Sequence, residues 1–132
     1  MLIIITEWAL QSYLDLKHKA VFTDQDYWNV LRPDVELLRN YPADAKFSNS
    51  KFWGPATDRT GKTIQHGFKM KWHNLGPGKV QLRLSVAIYS GSAYLCHAYV
   101  KSSNKVDKRK MATLKHRIRL ISLGQFTQRG TI

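Results

Sequence analysis

Hydrophobic and polar residues alternate with period two along KVQLRLSVAIY. Val80, Leu82, Leu84, Val86 and Ile88 fall on one side, and Lys79, Gln81, Arg83, Ser85 and Tyr89 on the other. That pattern predicts a strand with one buried face and one wet face. Ser90-Gly91 then supplies a hairpin turn. SAYLCHAYVK returns as a second strand, with Ala98 and Val100 on one face and His97, Tyr99 and Lys101 on the opposite one. A preceding strand is predicted from about Ile64 to Trp72. It sets Ile64, His66, Phe68, Met70 and Trp72 against Gln65, Gly67, Lys69, Lys71 and His73, and Asn74 to Gly78 form the turn that follows.

The remaining chain changes period. Leu2 to Ile5 reads as a first strand. Trp8, Leu10, Tyr13, Leu14 and Leu16 then recur as one face of a helix ending near Lys17 to Lys19. Thr23 followed by Asp26 resembles a capping box and predicts a second helix from Asp24, with Tyr27, Trp28 and Leu31 inward. Pro33 predicts a kink or restart, because proline removes a helical hydrogen bond and crowds the preceding turn. The two helices are expected to form a hairpin. Residues 43–63 read as a loop whose Phe47, Phe52 and Trp53 must pack somewhere. A last helix from Ser103 or Asn104 buries Met111, Leu114, Ile118 and Ile121 and leaves its Lys and Arg residues mostly in solvent. The tail, 124–132, reads as frayed. The fold class is therefore α+β: an N-terminal strand and helical hairpin, then an antiparallel sheet and a basic C-terminal helix, in one domain over 1–132.

Charge sharpens this picture. Residues 1–50 carry 5 basic and 7 acidic side chains, and residues 51–132 carry 16 and 2, so their net charges are −2 and +14. A surface this asymmetric concentrates polyanions, which makes nucleic acid the expected partner ahead of an acidic protein. The single cysteine, Cys96, excludes an internal disulfide and a cysteine-paired zinc site, and fits a reduced cytoplasmic setting. The Leu2 to Ile5 stretch is far too short to cross a bilayer, so no membrane partner is expected.

Aligning the three strands by their alternation gathers Lys69, Lys71 and His73 with Gln81, Arg83 and Ser85, and beside them His97, Tyr99 and Lys101. RNA cleavage by transesterification needs a base on the 2′-hydroxyl, positive charge at the phosphorane and an acid at the leaving oxygen. Arg and Lys supply the charge, and His or Tyr move protons. The ring of Tyr99 also suits stacking on an unpaired base. His66, beside Phe68 and Met70, reads instead as a core histidine, and His18 as a response to the helix dipole. The sequence contains no P-loop, GxGxxG, HExxH or GxSxG, so no cofactor is expected. In the basic half only Asp58 and Asp107 are acidic, too few for a two-metal carboxylate cage, and no metal is expected.

KVQLRLSVAIY followed by YLCHAYVKSSNKVDKRKMATLKHRIR, in the order strand, helix, helix, three antiparallel strands and basic helix, resembles the RelE/ParE superfamily of bacterial toxins, and most closely its HigB-like branch. The resemblance covers about 60 residues of the C-terminal half well; over the first 50 residues it lies only in the order of elements and in the opening strand and helix. It implies a ribosome-dependent, metal-independent mRNA endonuclease that arrests translation and is held inactive by a cognate antitoxin. Arg83 matches the family's strand arginine and Lys101 the lysine that closes its aromatic-Val-Lys stretch, with His97 and Tyr99 at the neighbouring positions, so catalysis is expected on Arg83, His97, Tyr99 and Lys101; the strand alignment and the basic helix add Lys69, Lys71, His73, Gln81, Lys105, Lys108 and Arg109 as the residues expected to bind RNA. The chain departs from the family's pattern at Ser102, where a lysine often stands, and at Asp107, where a proline is usual. It is also longer, in residues 43–63 and after Gly124. The alternatives are a ParE-like inhibitor of DNA gyrase and a non-catalytic nucleic-acid binder.

Overall fold

The computed structural model describes residues 1–132. Strand β1, Leu2–Thr6, leads directly into helix α1, Glu7–His18. Thr6 makes this join: its hydroxyl accepts from the Ala9 N–H at 3.2 Å as the N-cap and donates to the Leu95 carbonyl at 2.7 Å. The next helical run, α2, comprises Asp24–Asp26, a π turn at Tyr27–Leu31, and Arg32–Glu36, with Pro33 in the first turn of that last segment. Thr23 and Asp26 close the expected capping box. Thr23→Ala is expected to lower stability by about 1 kcal/mol in urea denaturation; an unchanged midpoint would show that tertiary packing alone holds this end of α2.

Five further elements follow: β2 Trp53–Thr57, β3 Thr63–Leu75, β4 Val80–Tyr89, β5 Ser92–Val100 and helix α3 Asn104–Ser122. The chain ends on β6, Gln128–Thr131. All six strands form one sheet in the order β2-β3-β4-β5-β1-β6, with only the β1–β5 pair parallel. Ser90 and Gly91 turn the β4–β5 hairpin with φ of 50° and 80°, as a two-residue type I′ turn requires. The α+β expectation holds. No helix is long and apolar enough to cross a membrane.

The sheet has a layer on each face. On one face lie α2 and the segment leading to β2, over a core that includes Leu31, Val35, Leu38, Met70, Leu82, Leu84 and Leu95. Helix α3 covers the other, placing Met111, Leu114, Ile118 and Ile121 against Ala56, Ile64, Ala87, Cys96 and Tyr99. Helix α1 stands beside the second half of β5, beyond the end of β1. There Ser12 Oγ accepts the Ala98 N–H at 2.9 Å and so satisfies an otherwise open strand edge.

Several expectations are corrected. The face of β4 and β5 expected to be wet lies under α3, and Arg83, Ser85 and Tyr99 are buried. Residues 43–63 are not all loop: they hold a 3-10 turn, Ala45–Ser48, and the edge strand β2. Gly54-Pro55 disguised that strand, since proline is tolerated only where no ladder donor is needed. Trp53 stacks on Phe68 at 5.1 Å, Phe47 packs edge-on to Trp53 and Tyr41, and Phe52 meets Trp72. The tail is not frayed, because β6 pairs with β1, Ile132 N–H donates to the Ile3 carbonyl at 3.0 Å and Arg129 pairs with Glu7. A short polar strand such as QRGT has no alternation to betray it.

Local backbone shape moves individual side chains as well. His66 has φ 67°, which breaks the alternation of β3. Ile64 therefore packs under α3, and His66 lies edge-on to Tyr89 at 5.2 Å instead of in the core with Phe68 and Met70. The π turn leaves Trp28 exposed, beneath the Arg32 guanidinium at 5.3 Å. Leu14 is likewise exposed, because the buried positions of α1 are Ala9, Ser12 and Leu16.

Candidate nucleic-acid interface

Strand register brings the expected polar residues into rows. Lys69, Ser85 and His97 lie side by side across β3, β4 and β5, and Lys71, Arg83 and Tyr99 form the next row. Two residues further along each strand, the Lys101 N–H donates to the Gln81 carbonyl at 2.8 Å. A bulge makes the β5 part possible: pairing slips between Ser85 and Val86, so that Cys96 and His97 both serve the α3 side of the sheet.

After Lys101 the chain turns back over these rows. Ser103 caps α3 by accepting the Val106 N–H at 3.2 Å, and Asp107 falls in the first turn. Its carboxylate accepts from Lys69 Nζ at 2.9 Å and from the Tyr99 hydroxyl at 2.5 Å. Burial pushes the Asp107 pKa up, but the bonds from Tyr99 and Lys69 and the charges of Lys69 and Lys101 outweigh it and hold the carboxyl below its usual range. Tyr99 is displaced the opposite way, by burial first and then by the carboxylate it donates to, so its hydroxyl stays protonated.

Lys69, Lys71, Arg83 and Lys101 crowd around this single carboxylate. Burial and then repulsion from the other three cations lower the pKa of Lys71, and Asp107 opposes that shift. Lys71 Nζ donates to the Ser50 carbonyl at 2.9 Å. Arg83 is 4% exposed, and its guanidinium donates to the Leu82 carbonyl at 3.2 Å and to Gln81 Oε1 at 3.0 Å. Burial lowers its pKa while Tyr99 and Asp107 raise it. The cluster carries more positive charge than its one carboxylate neutralises, and charge of that sign and density is what a phosphoryl oxyanion complements.

His97 lies nearly parallel to Tyr99, with ring centroids 6.2 Å apart, and Lys110 Nζ is 3.4 Å from its Nε2. Burial and then the charges of Lys110 and Arg117 push its pKa down to about 4, so the ring is neutral at pH 7. His97 Nδ1 is buried without a partner. Cys96 is fully buried, and burial raises its thiol pKa to about 12, which leaves it unreactive.

The structure divides the residues expected to bind RNA. Lys69, Lys71 and Gln81 belong to the sheet face. His73 lies further along β3, exposed, with Nε2 donating to the Lys51 carbonyl at 2.8 Å. Lys105, Lys108 and Arg109 sit on the outer side of α3, where they line a groove of about 810 Å³ shared with Asp58, Arg59 and Thr60 of the β2–β3 connection and with Lys115. No three His, Cys, Asp or Glu side chains come together as a metal-ligating set.

Sequence reasoning missed Asp107, Lys110, Arg59 and Lys115 as parts of these sites. Asp107 carried a signal: a carboxylate that is one of two acids in residues 51–132 has cations on every side to answer. Compared with known proteins, the chain matches no family model, no curated protein and no solved structure.

Proposed function

We propose that the protein is an RNA-cutting toxin of the RelE/ParE kind, a ribosome-dependent mRNA endonuclease restrained by a cognate antitoxin. The observation that carries this reading is the gathering of Lys69, Lys71, Arg83 and Lys101 around one carboxylate, with a neutral His97 and a protonated Tyr99 beside them. The run of strand, helices, three consecutive antiparallel strands β3 to β5 and basic helix supports the reading, with β2 and β6 as additions to that order. In the reaction His97 takes the proton of the 2′-hydroxyl, the 2′-oxygen attacks phosphorus, and the P–O5′ bond breaks. The 5′-oxygen leaves with a proton from Tyr99, giving a 2′,3′-cyclic phosphate and a 5′-hydroxyl. Arg83, Lys71 and Lys101 stabilise the phosphorane charge. Because Tyr99 and Lys69 are bound to Asp107 at rest, RNA must draw the first turn of α3 away before the site engages.

Primer extension on an mRNA translated in a purified system tests this directly. New cuts should appear only with ribosomes present, and Arg83→Ala or Lys101→Ala should reduce them about 100-fold, the usual cost of removing one donor to a developing oxyanion. Lys101 is only half-buried, so its variant keeps the test informative if Arg83→Ala fails to fold. A second reading, a non-catalytic RNA binder, draws on the burial of Arg83 and Tyr99, each 4% exposed. RNA binding without any cut, in the presence of ribosomes, would replace the nuclease reading with this one.

A further inference from the structure

The groove between α3 and the β2–β3 connection is a second basic surface, whose lining does not include Asp107. Lys105, Lys108, Arg109 and Lys115 follow a helical spacing that puts them on one face, spanning about 15 Å along the axis at 1.5 Å per residue. The β2–β3 connection, within the stretch that reads as extra length beside the resembled family, builds the facing wall and contributes Arg59. The one acidic residue in the lining, Asp58, is already occupied. Its carboxylate accepts from the Thr60 N–H at 2.8 Å, the Thr60 hydroxyl at 2.6 Å and the Lys62 N–H at 3.0 Å. It serves to shape the loop that carries Arg59.

The lining distinguishes between kinds of nucleic acid. Its only hydrophobic members are Met111 and Ala112, and it has no aromatic ring. Grooves for single strands combine cations with aromatic platforms on which bases stack. Double-helical RNA keeps its bases paired inside and is held through phosphates and 2′-hydroxyls. A row of cations some 15 Å long can follow more than one successive phosphate of a strand. The sheet-face cluster, with Tyr99 and His97 at hand, has the rings that the groove lacks.

We infer that the groove between α3 and the β2–β3 connection holds the phosphate backbone of double-helical RNA, so that the protein docks on folded RNA through one surface while single-stranded message meets the sheet face. The choice of RNA over DNA rests on the endonuclease reading; the choice of a duplex rests on the groove itself. Fluorescence anisotropy of the full chain with a labelled RNA duplex of about 16 base pairs, the same strand unpaired, and the matching DNA duplex is the test. The RNA duplex is expected to bind at least tenfold more tightly than the unpaired strand. The double variant Arg59→Gln, Lys115→Gln should lower the slope of log K against log salt by about two while the far-UV spectrum is unchanged. Equal or tighter binding of the unpaired strand, or an unaltered slope in the variant, would overturn the duplex assignment. Tighter binding of the DNA duplex would overturn the choice of RNA. None of these readouts involves strand scission, so the docking surface and the nuclease stand or fall separately.

Discussion

Asp107→Ala is expected to cost about 2–3 kcal/mol of stability at pH 7 and, at the same time, to tighten RNA binding. The carboxylate and the Lys69 ammonium are each 14% exposed, and Tyr99 spends its hydroxyl on the same group. Removing the acceptor strands a largely buried cation and a buried hydroxyl, and hydrogen bonds to charged groups contribute about 1.5–3 kcal/mol each. The cations it leaves behind lose their only counter-charge and hold a phosphate more strongly. Asp107→Asn, which keeps an acceptor for Tyr99 but no charge for Lys69, should fall between the two proteins. Because the folded carboxyl titrates below the ordinary aspartate value of 3.8, this contribution is full above that pH and is lost as pH falls through the folded pKa. The gap between wild type and Asp107→Ala in urea denaturation should therefore close below about pH 4. An unchanged urea midpoint at pH 7 would mean that α3 is held by its apolar stripe alone.

A second pH dependence comes from His97 and occupies a different window. Its pKa falls from 6.5 in the unfolded chain to about 4 in the folded one. Between those values the unfolded chain binds a proton that the folded chain refuses, so stability declines as pH drops below about 6.5 and the loss is complete near 4. The full shift corresponds to roughly 3 kcal/mol, which partial solvent screening of the ring reduces to about 1–2 kcal/mol. His97→Gln should remove this slope and leave the lower-pH step of Asp107 in place. Urea midpoints for both proteins at pH 7.5 and 4.5 decide it. Parallel declines would assign the acid sensitivity to other groups.

The two effects converge on the joint between α3 and the sheet. Lys110 and Arg117 of the helix depress His97 on the strand, and Asp107 of the helix binds Lys69 and Tyr99 on the strands. Acidification weakens the same contact twice, first by charging His97 against its cationic neighbours and then by neutralising Asp107. On the endonuclease reading this joint is also what must open.

Much of the architecture follows from the amino-acid sequence alone. Alternation of Val80, Leu82, Leu84, Val86 and Ile88, the Ser90-Gly91 turn, the Thr23/Asp26 cap and the stripe of Met111, Leu114, Ile118 and Ile121 all lie where their periods require. These are local features, written in neighbouring side chains and backbone preferences. The gathering of Lys69, Lys71, Arg83 and Tyr99 on one face is also legible, since alternation carries across paired strands. Tertiary structure decided what covers that face. A row of polar residues predicts solvent, yet α3 needs somewhere to bury its stripe, and Ala87, Cys96 and Tyr99 offer it on the same side as the cations. Covering charges demands a counter-charge at the contact, which Asp107 supplies from another element, 38 residues along the chain from Lys69. The β5 bulge that adds Cys96 to this face, the β6 strand and the second wall of the outer groove likewise depend on partners distant in sequence. Periodicity reports which side of an element is apolar; only packing of the whole chain determines which element meets it.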